Sequence, residues 1–165
     1  MTPQITHLRG RRLSKDCFLA ALIFASLLLG PAHAEQVGRL APAERAYMAG
    51  DYDQAASLAH GQTSPAAAVL TARALLTKAL LLDVKDPEVF ALANAALVYA
   101  DAARAVVPGL VEAHLDAAIA RGLQADHLPV DEAITKVEEA RAAIDQALML
   151  APNDPWVQAT EGVGT

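Results

Sequence analysis

Aromatic side chains make up only 4% of the 165 residues, and there is a single cysteine, Cys17. Isoleucine and threonine are also sparse, and with so few strand-favouring residues a β-sheet has little to be built from. Alanine supplies much of the 54% apolar content. It is the best helix former and gives up no side-chain entropy on ordering. The sequence therefore predicts an all-α fold, and the length suits one domain.

The next scarcity is of chemistry. His60, His114 and His127 lie far apart. Glu112, His114 and Asp116 are two residues apart, a spacing that splays them around a helix and does not converge them on a metal. Ser57 and Ser64 lack a glycine elbow, and Ser64 is better read as a helix cap. Gly50, Gly61, Gly109, Gly122 and Gly162 are isolated and form no phosphate-cradling loop. Asp51 and Asp53 suit a helix N-terminus, while Asp131-Glu132 and Glu138-Glu139 read as solvated faces. No catalytic residue, metal or cofactor is expected.

The N-terminus is different in kind. Arg9, Arg11, Arg12 and Lys15 precede an apolar run of 13 residues, Cys17 to Leu29. Pro31 follows, then Ala32-His33-Ala34. This is the order of an export signal, with cleavage between Ala34 and Glu35. The run falls short of the roughly 20 residues that span a bilayer, so stable membrane insertion after cleavage is not expected. Removing these four basic residues and Asp16 moves the net charge from −6 to −9. The mature chain is free of cysteine, so helix packing alone must hold it. Its acidity disfavours nucleic acid as a partner. The export signal fits the bacterial periplasm, with full secretion as the alternative.

After a short leader, 35–40, helix punctuation is clear. Gly50-Asp51, Gly61-Gln62-Thr63, Ser64-Pro65, Asp86-Pro87, Pro108-Gly109 and Asp154-Pro155 act as stops or as capped starts. They predict helices at 41–49, 52–60, 65–83, 87–107, 110–121, 130–150 and from 154 onward, with Gly122 to Pro129 as the longest loop. In 130–150, the residues Val130, Ile134, Val137, Ile144 and Leu148 form one stripe, expected to pack inward. Ala133, Ala140 and Ala147 run beside it. Helix 87–107 is apolar nearly all round and is expected to be central. Tyr47 and Tyr52 should staple the first turn, and Phe90 and Tyr99 should lie in core.

Ala49-Gly50-Asp51-Tyr52-Asp53-Gln54-Ala55 resembles the hairpin turn of a tetratricopeptide repeat. Ala140, Ile144, Ala147 and Pro152, followed by Asn153-Asp154-Pro155, resemble that family's second helix and linker. Weaker likenesses lie at Ala72, Leu76 and Ala79, and at Ala96, Ala100, Ala103 and Pro108. These second-helix patterns begin at 55, 72, 96 and 140, not at the family's interval of about 34 residues, so the repeat is degenerate. An irregular α-solenoid is the alternative. The resemblance implies stacked antiparallel hairpins over 41–165 that bind a protein or peptide in a groove. In that family groove residues come from the first helix of each pair; the division into first and second helices stays open here, and the candidate groove residues are Arg73, Lys78, Glu112 and Asp116. The helix opening at Trp156 has no hairpin partner, so it either caps the stack or leads into a longer protein. A non-catalytic interaction scaffold is the function expected. A structural fragment of a longer repeat protein and an exported enzyme of unknown type are the alternatives.

Overall fold

The computed structural model describes residues 30–162, with side chains from 39 to 160. The basic and apolar parts of the expected export signal lie outside the described residues. The chain divides into two units, Met1–Arg39 and Leu40–Thr165. Among the described residues there are seven helices and no strand: α1 Gly30–Met48, α2 Tyr52–His60, α3 Pro65–Leu81, α4 Pro87–Val106, α5 Val111–Ala125, α6 Val130–Leu150 and α7 Pro155–Gly162. The fold class is all-α, as expected.

Helix starts follow their caps. Asp51 Oδ1 accepts from Gln54 N at 3.0 Å, Ser64 Oγ from Ala67 N at 3.1 Å, and Asp86 Oδ1 from Glu88 N at 2.8 Å. Each satisfies an amide that the first helical turn leaves without a partner. Gly50 has φ +80°, the left-handed value that a side chain resists. The turn it permits brings Tyr47 and Tyr52 edge to face, with ring centroids 5.4 Å apart, so they do staple the hairpin.

Two boundaries differ from expectation by more than two residues. α1 begins at Gly30, so the leader 35–40 is helical and Pro42 lies inside the helix instead of at its first turn. A proline there removes one amide donor, which the chain tolerates at that single position. α5 runs four residues further than expected, through Gly122 to Ala125, and shortens the predicted eight-residue loop. Gly122 meets open space, so nothing there stops the helix. The added turn is held by tertiary contacts: Leu123 packs on the core, and buried Gln124 donates to Asn94 Oδ1 at 2.6 Å.

The interior is made mostly of alanine. Leu40 and Ala43 of α1 meet Ala59 and Ala67, and Ala46 meets Ala55, Ala56 and Ala74. The largest cluster joins Ala72 and Leu76 of α3, Ala96 and Ala100 of α4, and Ala117 and Ala120 of α5. From α2 onward each helix packs on the next, and α3 also touches α5. Small side chains allow close axial approach. α4 packs between α3 and α5 but keeps one face open, with Val98 67% exposed, so it is covered less completely than its composition predicts. Tyr99 and Phe90 are half-buried. Tyr99 hydrogen-bonds His60 Nδ1 at 2.7 Å, and Phe90 lies against His127.

Candidate functional site

α3 and α5 carry the four polar residues expected to line a groove, and the structure separates them into two groups. Arg73 Nε lies 3.7 Å from Asp116 Oδ1, with the Asp116 side chain 4% exposed. Glu112, one turn before Asp116 on α5, is exposed and adds its negative charge. Lys78 stands apart and ties α2 to α4 by ion pairs to Asp53 at 2.8 Å and Glu88 at 3.0 Å. Those hydrogen bonds, to Asp53 first, hold its ammonium above the usual lysine pKa.

Asp116 is the outlying group. Burial penalises its charged form and pushes its pKa from 3.8 up to about 7. Arg73 opposes that shift, and Glu112 adds to it. Its Oδ2 has no hydrogen-bond partner among the described residues. Asp116 is thus an interior residue, and only Arg73 and Glu112 of this group reach solvent.

A second cluster lies where α4 turns into α5. Asp101, Arg104, Ala105, Pro108, His114 and Arg121 line an open cleft of about 390 Å³. Its charges are largely engaged with one another. Asp101 Oδ1 lies 3.4 Å from Arg104 and 3.8 Å from Arg121, and Arg121 Nε donates to Glu139 Oε2 at 3.1 Å. Hydrogen bonding from Lys136 first, then from Arg121, holds Glu139 below the usual carboxylate range. His114 is buried and donates from Nε2 to the Pro108 carbonyl at 2.8 Å, which closes the end of α4. It is enclosed, although it borders the cleft. Among the described residues no group of three His, Cys, Asp or Glu gathers as a metal would need.

The feature that sequence reasoning misplaced is on α6. Its stripe was expected to pack inward, yet Val130 is 78% exposed and Ile134 and Val137 are each 55% exposed. Only Ile144 and Leu148 of the stripe are half-buried. Ala140, Ala143 and Ala147 make the contact instead. Alanines let α6 approach α5 closely, and the longer side chains are left to one side of that contact. Trp156, at the start of α7, is 78% exposed, whereas the adjacent Val157 is fully buried. Compared with protein-family models, curated proteins and solved structures, the chain matches none.

Proposed function

We propose that this chain is an exported, non-catalytic interaction module of the bacterial cell envelope. In this reading its helical hairpins stack in the manner of a degenerate tetratricopeptide domain. The observation that carries the proposal is the uncovered apolar face of α6, where Val130, Ile134 and Val137 lie in solvent on successive turns. Three large aliphatic side chains in one row form a contiguous apolar patch of the kind that marks interaction sites. A groove or face on a helical repeat is the usual seat of a peptide or partner helix.

Two measurements test this. A photo-crosslinking residue placed at Val137 in growing cells should trap a discrete partner, and one at Ser57, exposed on α2, should not. Equal silence at both positions would remove the basis for the module. N-terminal sequencing of the chain recovered from the envelope should begin Glu35-Gln36-Val37. A chain beginning at Met1 would end the cleavage reading and leave the interaction reading standing.

A further inference from the structure

The residues of α6 fall into a seven-residue register, and the structure gives each line of that register a different environment. With Ile134 taken as position a, Val130, Val137 and Ile144 are d, and Ile134, Arg141 and Leu148 are a. The g line is Ala133, Ala140 and Ala147, turned into the protein's own packing: Ala140 and Ala147 are buried and Ala133 is half-buried. The e line is Asp131, Glu138 and Asp145, all three exposed. Among the described residues none of these three carboxylates has an ion-pair or hydrogen-bond partner, although Glu139 beside them is held by Arg121 and Lys136. One edge of α6 therefore binds its own domain through alanine. The next edge offers an a/d seam, open at Val130, Ile134 and Val137 and half-buried at Ile144 and Leu148, with an unbroken acidic flank.

We propose that α6 docks a partner helix that is apolar along one seam and carries lysine or arginine along the flank of that seam. This rests on the interaction-module reading above and names its partner class. Facing helices with a/d apolar residues interlock, and the e and g charges choose the partner. Three unpaired acids at successive e positions select a basic flank. They also argue against a second copy of this chain. An antiparallel two-fold pairing of α6 would set this acidic line against itself, and a parallel one would need the alanine line that is already turned into the domain. An anionic lipid surface is disfavoured for the same electrostatic reason. Arg141 is the one charge within the seam. A single polar a position fixes register at some loss of affinity, so the partner places a polar or acidic residue opposite it.

The test uses the full chain and two labelled three-heptad helical peptides, both with leucine at a and d. One carries lysine at e and g, and the other carries glutamate. In fluorescence anisotropy the lysine peptide should bind, weaken with added salt, and outbind the glutamate peptide by at least about tenfold. The triple change Asp131→Lys, Glu138→Lys, Asp145→Lys should invert that preference. Val130→Ser, Ile134→Ser, Val137→Ser should abolish binding of either peptide while circular dichroism stays unchanged, since these side chains are exposed. Equal binding of both peptides, lost in the serine variant, would overturn the basic partner and leave the docking face. Absence of binding, or binding that survives the serine variant, would overturn both. Concentration-dependent self-association removed by the serine variant would put a second copy in the partner's place.

Discussion

α5 and α6 are consecutive, in contact and carry five alanines each, yet they handle polarity in opposite ways. α5 buries His114, Asp116 and Gln124 along with its alanines. α6 buries alanines only, and leaves Val130, Ile134 and Val137 in solvent. The difference follows from neighbours. α5 is packed by α3, α4 and α6, so almost any side chain it bears is enclosed. α6 is packed by α5 and α7, and α7 is a helix of eight residues. Burial here is set by position in the fold more than by the residue's own preference.

The largest expected effect tests the polar side of this contrast. Because the pKa of Asp116 is raised, from 3.8 to about 7, its neutral form suits the fold. Stability from this group is full below the unfolded pKa and is lost as pH rises through the folded one. Asp116→Asn should flatten the fall in melting temperature between about pH 4 and 7 and stabilise the chain at pH 8, by at most ~4 kcal/mol. A variant that melts at or below the parent temperature at pH 8 would show that the Arg73 pair outweighs the burial cost.

Next is a matched pair of substitutions. Ala117→Leu forces extra volume into the α3–α4–α5 cluster and should cost about 1–3 kcal/mol in denaturant unfolding. Ala142→Leu, exposed on α6, should stay within about 0.5 kcal/mol. Similar costs at the two sites would erase the contrast between the helices.

Glu139→Gln examines the seam between them. Glu139 has a lowered pKa, so its contribution is present above the unfolded carboxylate pKa and is lost as pH falls through the folded one. Its side chain is 41% exposed and well screened, so the loss at neutral pH should be only a few tenths of a kcal/mol. The sign of its pH dependence is opposite to that of Asp116. The smallest effect belongs to Ile134→Ser, which should leave unfolding within about 0.5 kcal/mol of the parent. A cost near that of a core cavity, at about 2 kcal/mol or more, would mean that α6 is covered in solution.

Much of the local structure was legible in advance. α2 and α6 have their predicted bounds, and Ser64, Asp86 and Asp51 each cap the helix start they were read as marking, because capping depends on residues within one turn. The extension of α5 past Gly122 was not legible, because it is held by Asn94 on α4, 30 residues away. The candidate site was read less well. Arg73 and Asp116 do meet, but Asp116 is enclosed and Lys78 is engaged elsewhere. Periodicity found the α6 stripe and gave it the wrong direction. A stripe states that one face is apolar, but the alanine line beside it was an equally good packing surface.

The sequence by itself determined that this chain is helical, where its helices are capped and that alanine would bring them close. Those are properties of composition and of neighbours within one turn. Only the tertiary structure decided that a carboxyl group is held inside, that α4 has one open face and that α6 turns its alanines inward and its valines out. Each of these depends on how many helices surround a given face, and no short window of sequence contains that number.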